Sequence, residues 1–208
     1  MDYYSGVRKE VFSKIFFKPV RILEIGCGEG GFRQNFDYEV EYWGVEPSNA
    51  ANKALVSLNR VINDTYDRAA PQIPDNYFDL IICNDVIEHI SNCNEFIRDV
   101  KSKLADGGLL MASIPNVRYI GNLIGLLFWK DWKYTDSGIL DVTHLRFFTY
   151  KSMVRFFEEN DYEIVKSIGI NRFPSFSWSI KKILKNVMII FLGGDARFLQ
   201  YVFFVKKP

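Results

Sequence analysis

The sequence predicts an α/β fold, a doubly wound and mainly parallel sheet with helices on both faces. Three observations carry this. Short apolar runs alternate with stretches of helical character from residue 20 to residue 115, as in a parallel sheet whose strands are buried on both sides. The first run, Val20 to Ile25, breaks at Gly26 into a turn with further glycines at 28, 30 and 31, and Phe32 then opens a helix-like stretch. A second run ends in Glu46, about 20 residues past the first glycine, where nucleotide-binding sheets place an acidic residue.

The bulk numbers bound the partners. The chain has 208 residues and is 48% hydrophobic, enough for one domain, 1–208, with a sizeable core. Its 26 basic and 25 acidic residues leave a net charge of +1, which is no nucleic-acid footprint. The three cysteines, Cys27, Cys83 and Cys93, are odd in number and fit no metal spacing, and a reduced, cytoplasmic setting is the simplest reading. The first residues hold no apolar signal region, and no run approaches the roughly 20 apolar residues of a membrane span.

In order, Val7, Val11, Ile15 and Phe16 stand at helical spacing among Arg8, Lys9, Glu10 and Lys14. They predict an amphipathic helix over 3–17, covering the sheet or a cofactor and ended by Pro19. Strand, glycine turn and helix start then bring backbone N–H groups toward one ligand, and a Cβ there would block its approach. Gly26, Gly28 and Gly31 satisfy the dinucleotide spacing G-x-G-x-x-G. Glu24 and Glu29, however, would repel a pyrophosphate. A ligand carrying an ammonium and a sulfonium suits them.

Phe32 to Phe36 reads as a short helix and Val40 to Val45 as the second strand. Glu46 at its tip can accept hydrogen bonds from ribose hydroxyls. Pro47 and Ser48 start a helix over 49–59. Arg60 to Ile62 is a brief strand before the turn Asn63-Asp64-Thr65, and 70–76, with Pro71 and Pro74, is a loop. Tyr77 to Cys83 is a buried strand running into Asn84-Asp85-Val86-Ile87-Glu88-His89. Ligands of open α/β sheets bind beyond the carboxyl ends of the strands, so Asn84, Asp85 and Val86 fall at the ligand. Glu88 and His89 find only Cys93 at a helical metal spacing, so no metal is expected and His89 is placed beside the cofactor. A helix over 93–104, capped by Ala105-Asp106-Gly107-Gly108, leads to a fifth strand, Leu109 to Ile114.

Glu-x-Gly-x-Gly-x-Gly at 24–30 resembles the first motif of the class I S-adenosylmethionine-dependent methyltransferases. Phe78-Asp-Leu-Ile-Ile with Asp85-Val-Ile-Glu-His is similar to their fourth-strand motif. The resemblance implies a Rossmann-like sheet of seven strands that closes on an antiparallel hairpin, here 162–170 and 198–205. It implies S-adenosyl-L-methionine as cofactor, held by Glu24, Gly26, Cys27, Gly28, Gly30, Glu46, Pro47, Asp64, Thr65, Asn84, Asp85, Val86 and His89. Asp64 would meet the adenine amino group.

The acceptor must be read from the variable pieces, 117–149 and 171–197. Ile120 to Trp129 predicts an apolar helix, and Thr149 an N-cap for a helix over 151–160. Between them, Asp141-Val-Thr-His144-Leu-Arg146-Phe-Phe-Thr149 resembles a stretch of bacterial methyltransferases of surface-polysaccharide and related glycan biosynthesis. That implies O-methylation of a small-molecule or glycan acceptor, with His144 as general base. Asp141 would orient the imidazole and Arg146 hold an anionic group. A structural, hydrogen-bonded His144 stays open. So do a quinone-like or lipid-like phenol acceptor, suited to the Phe-rich C-terminal half, and a cofactor-binding protein without turnover. The second piece predicts an apolar helix over 180–192 with Lys181, Lys182 and Lys185. It would serve as a lid, a homodimer contact or a peripheral contact with an anionic membrane at its inner face.

Overall fold

Strand residues alternate between two apolar clusters, one on each face of the sheet. In β1 (Arg21–Ile25), Ile22 joins one cluster and Leu23 and Ile25 the other; in β4 (Phe78–Asn84), Leu80 and Ile82 face one way and Ile81 and Cys83 the other. This is why these runs are continuously apolar. The computed structural model describes residues 6–173 and 187–208. The remaining strands are β2 (Glu41–Val45), β3 (Arg60–Ile62), β5 (Leu104–Pro115), β6 (Glu163–Arg172) and β7 (Phe198–Lys206). They form one sheet in the order β3-β2-β1-β4-β5-β7-β6. The first five run parallel and β7 runs antiparallel to both of its neighbours. The expected closing hairpin is therefore present. The strand order reverses between β1 and β4, which is where such sheets bind ligands.

The helices are shorter than their periodicity suggests. Of the N-terminal helix expected over 3–17, residues 3–5 lie outside the described part; α1 (Lys9–Phe12) is a single turn, and Arg8 at φ 47 cannot extend it toward the N-terminus. The helix expected over 49–59 is helical only as α2 (Ala51–Ala54). Beyond it, Asn59 ties the chain to β2, its Oδ1 accepting from the Tyr42 N–H at 2.7 Å. A further turn of helix, α3 (Tyr66–Ala69), follows β3. The Asp106-Gly107-Gly108 cap is instead strand. After α4 (Cys93–Lys103), β5 starts at Leu104 and shifts register against β4. Gly108 lies against β4, where a Cβ would come within 2.7 Å of the Phe78 carbonyl.

The apolar stretch after β5 is α5 (Ile120–Ile124) followed by a π turn over Gly125–Trp129. Phe128 and Trp129 are 64% and 77% exposed. Thr149 caps α6 (Tyr150–Glu159) as expected, in a reciprocal capping box with Ser152. Of the expected helix over 180–192, residues up to 186 lie outside the described part. Residues 187–192 are helical, with Ile189 buried and Ile190 and Phe191 exposed. Among the described residues, no helix is long and apolar enough to cross a membrane.

Candidate functional site

The glycine turn is stitched to β2 by its backbone. The N–H groups of Gly26 and Cys27 both donate to the Val45 carbonyl, at 2.8 and 3.2 Å. Gly26, Gly28 and Gly30 all have positive φ, at 74°, 52° and 79°, a conformation that other residues adopt only with strain. Space is short as well. A Cβ on Gly26 would lie 2.8 Å from Val86 Cγ2, and one on Gly30 2.6 Å from Ser57 Oγ. Cys27 departs from expectation. Its Sγ is packed where a Cβ on Gly44 would lie only 2.5 Å away, so the thiol belongs to the core and only the backbone of residue 27 can face a ligand.

Two buried carboxylates flank this turn. Glu24 accepts from Tyr42 Oη at 2.8 Å. Burial pushes its pKa up to about 8, opposed by the Tyr42 hydrogen bond and reinforced by Glu46. Glu46 accepts from the Gly28 N–H at 3.0 Å and the Ser48 N–H at 2.9 Å. One acidic side chain thus sets the shape of the turn from which it was expected to reach the ribose. Pro47 is exposed beside it. Asp64 accepts from the Thr65 N–H at 2.8 Å just past β3, at the same strand ends.

At the end of β4, Asn84 has both side-chain polar atoms buried without a partner. Asp85, at φ 53, is held on two sides. Arg8 Nη1 donates to Oδ2, and Gln200 Nε2 donates to Oδ1 at 2.6 Å. Arg8 Nη2 also donates to Gln200 Oε1 at 3.1 Å. Arg8, Gln200 and Tyr42 were not foreseen as site residues. Arg8 was hidden in a helical pattern, and Gln200 and Tyr42 lie in strands read only for their apolar neighbours. The narrow glycine cradle, the buried carboxylates and the orphaned Asn84 amide fit a cationic nucleoside ligand such as S-adenosylmethionine.

The acceptor side is built from the segment after β4 and the loop before α6. The backbone N–H groups of Leu145 and Arg146 donate to the Glu88 carbonyl at 2.9 and 3.2 Å. They bring His144 against Glu88 and His89, with the two imidazole centroids 4.7 Å apart. His144 Nδ1 lies 3.0 Å from the Ile139 carbonyl, and its Nε2 lies 3.9 Å from Glu88 Oε1. Glu88 is 1% exposed. Burial, with the Asp85 charge, pushes its carboxyl well above the usual range. Burial and His144 push His89 down.

Two expected roles are corrected here. Asp141 does not orient His144. Its Oδ1 accepts from the Thr143 N–H at 2.8 Å and Thr143 Oγ1 at 2.6 Å, closing a tight turn. Those bonds outweigh burial and hold its pKa low. Arg146 is not a free anion site either. Its Nη1 and Nη2 donate to the Ile90 and Ser91 carbonyls at 2.5 and 2.7 Å. His89 is likewise turned toward His144 and Thr143. Glu88, Pro115, Val117, Ile139, His144, Arg146, Phe147 and Phe148 line a narrow crevice with no room for even a water molecule, so an acceptor must part its walls.

Residues 3–167 match the family model described as a methyltransferase domain. The chain is 26% identical over 181 residues to a ubiquinone biosynthesis O-methyltransferase of Nitrobacter winogradskyi, covering 82% of this chain and 68% of that one. It is similar in fold to a S-adenosylmethionine-dependent methyltransferase from Archaeoglobus fulgidus (TM-score 0.68, 19% identity, 94% and 90% of the two chains). It also resembles the plantazolicin methyltransferase solved with a substrate analogue and S-adenosylhomocysteine (TM-score 0.62, 14% identity, 97% and 84%).

Proposed function

The chain belongs to the methyltransferase-domain family, S-adenosylmethionine is its cofactor, and on that premise we propose that it methylates a phenolic oxygen of a quinone-like acceptor. The observation that carries this reading is the lining of the cleft. Phe147, Phe148, Pro115 and Val117 surround the Glu88–His144 pair, and Trp132 packs edge-on against Phe147 with centroids 5.3 Å apart. Aromatic walls suit a ring, whereas a sugar needs a dense set of polar partners. The similarity to the Nitrobacter ubiquinone biosynthesis O-methyltransferase supports the same choice. The glycan acceptor expected from 141–149 gains no such support.

When bound, S-adenosylmethionine supplies an electrophilic methyl group on a sulfonium. Glu24 and Asn84 would hold its methionine part, Glu46 the ribose and Asp64 the adenine, with the glycine turn giving backbone room. The task left to the protein is to align the acceptor oxygen and take its proton. His144 suits the second part. Its Nδ1–H is donated to the Ile139 carbonyl, so in the neutral ring Nε2 carries the lone pair. As the oxygen–methyl bond forms, that lone pair accepts the hydroxyl proton. The test is methyl transfer from radiolabelled S-adenosylmethionine to catechols and hydroxybenzoates, set beside hexoses and nucleotide sugars. Label in the phenols is expected. Label in the sugars alone overturns the reading.

A further inference from the structure

We propose that Glu88, His89 and His144 form a binding site for one divalent cation of the zinc class at the inner end of the acceptor cleft. Spacing along the chain concealed it. The expected partner, Cys93, lies in the hydrophobic core, and the third ligand comes from the loop before α6. In space, one ligand atom from each of the three side chains lies within 4.8 Å of the other two.

Two independent features point to a ligand there. The first is an unmet carboxylate. Glu88 is 1% exposed, and neither of its oxygens has a hydrogen-bond partner. The His144 Nε2 at 3.9 Å is beyond hydrogen-bond reach. Buried carboxyl groups are ordinarily hydrogen-bonded, paired or on a metal.

The second is the state of the two imidazoles. His144 Nδ1 faces the Ile139 carbonyl at 3.0 Å. His89 Nδ1 faces the Thr143 carbonyl at 3.3 Å and Thr143 Oγ1 at 3.1 Å. A carbonyl only accepts, so each Nδ1 carries the proton and each Nε2 is left a lone pair. His89 Nε2 is also buried without a partner. A histidine ligand commonly has this arrangement, one nitrogen donating to a carbonyl and the other free for the metal.

The donor set selects the ion. Two imidazoles and one carboxylate suit Zn²⁺ and leave a fourth position open, whereas Mg²⁺ prefers an all-oxygen shell with several waters. Zinc–nitrogen distances of about 2.0 Å put tetrahedral ligand atoms roughly 3.3 Å apart, so the side chains must draw together by somewhat over 1 Å. What the ion does there rests on the functional reading above. At the open position it would lower the pKa of an acceptor hydroxyl. In the metal-loaded protein the proton leaves to water, because the His144 lone pair is then on the cation and its role as base is confined to the metal-free protein. The oxygen attacks the methyl group as the carbon–sulfur bond breaks and S-adenosylhomocysteine leaves.

Calorimetry on chelator-treated protein, titrated with ZnCl₂ or MgCl₂, tests the site. S-adenosylhomocysteine binding serves as the check on folding. One equivalent of Zn²⁺ and no heat from Mg²⁺ are expected. Glu88→Gln and His144→Ala should each weaken zinc at least about 100-fold, the upper end of what losing even an outlying partner costs, and still bind S-adenosylhomocysteine. Zinc affinity unchanged in both variants marks an adventitious ion only and overturns the site. Co²⁺ added to the wild-type protein keeps the proposal falsifiable if the variants do not fold. Absorption bands of nitrogen-and-oxygen-bound Co²⁺ are expected, and their absence overturns it. Phenol methylation that survives chelation in a protein without zinc affinity sinks the site alone. One equivalent of zinc with no phenol methylated sinks the functional reading alone.

Discussion

Glu24 and Glu88 stand at the carboxyl ends of neighbouring strands, β1 and β4, and both are buried. Burial raises the pKa of each. They differ in company. Glu24 has the Tyr42 hydroxyl and lies beside a turn whose shape Glu46 fixes through the Gly28 N–H. Glu88 has no partner for either oxygen. The glycine turn of the cofactor side is assembled from its own backbone and hydroxyl groups before any ligand arrives, with the Asn84 amide left open beside it. The acceptor side brings three titratable groups together and leaves both Glu88 oxygens and His89 Nε2 without a partner. A turn completed by the chain and a cluster completed from outside thus lie on one sheet edge.

The strongest way to break that contrast is to destroy the completed half. Gly28→Val puts a branched side chain at φ 52, where it is strained. It should abolish S-adenosylhomocysteine binding by calorimetry while the far-UV circular dichroism stays native. Retained affinity would mean that the turn does not make the cofactor site.

A pH titration sharpens the contrast next. The pKa of Glu24 in the folded protein, about 8, is above its unfolded value, so the native state binds more protons between the two. Its contribution to stability is therefore full below about pH 4.5 and falls as pH rises toward about 8, at up to about 1.4 kcal/mol per pH unit. Tyr42, Glu46 and Arg8 are the charged or titratable groups that act on it. Thermal melts of the ligand-free protein should show the decline, and Glu24→Gln should flatten it. An identical pH profile in the variant would show that Glu24 is ionised throughout.

The smallest effect concerns Glu46. Glu46→Ala removes two hydrogen bonds to a charged acceptor and should weaken S-adenosylhomocysteine by about 1 to 3 kcal/mol. Wild-type affinity would separate the shaping of the turn from ligand binding.

The contrast also explains what was legible in the sequence. The strands and the cofactor turn were readable because their signals are local. Apolar runs mark strands buried on both faces, and Gly26, Gly28 and Gly30 mark backbone that needs positive φ. Periodicity overstated the helices at 3–17 and 49–59: among the described residues they are helical only at Lys9–Phe12 and Ala51–Ala54, with Arg8 tied to Asp85 and Gln200 and Asn59 tied to Tyr42. On the acceptor side, His144 lies against Glu88 and His89, but its neighbours along the chain misled. Asp141 closes its own turn and Arg146 ties its loop to Ile90 and Ser91, while Glu88 faces the imidazole, brought there by main-chain hydrogen bonds that no spacing along the chain encodes.

β7 lies between β5 and β6 although it is the later of the three to be synthesised. Until residues 198–206 leave the ribosome, β6 has no partner and one edge of β5 stays open. Gln200, on this late strand, is also one of the residues that grip Asp85. The nascent chain therefore carries a bare sheet edge and a slack ligand face up to nearly the same moment, and both are closed by one insertion. A stalled or truncated product would expose a sticky edge to its neighbours and to chaperones, and it would not be a partly working enzyme.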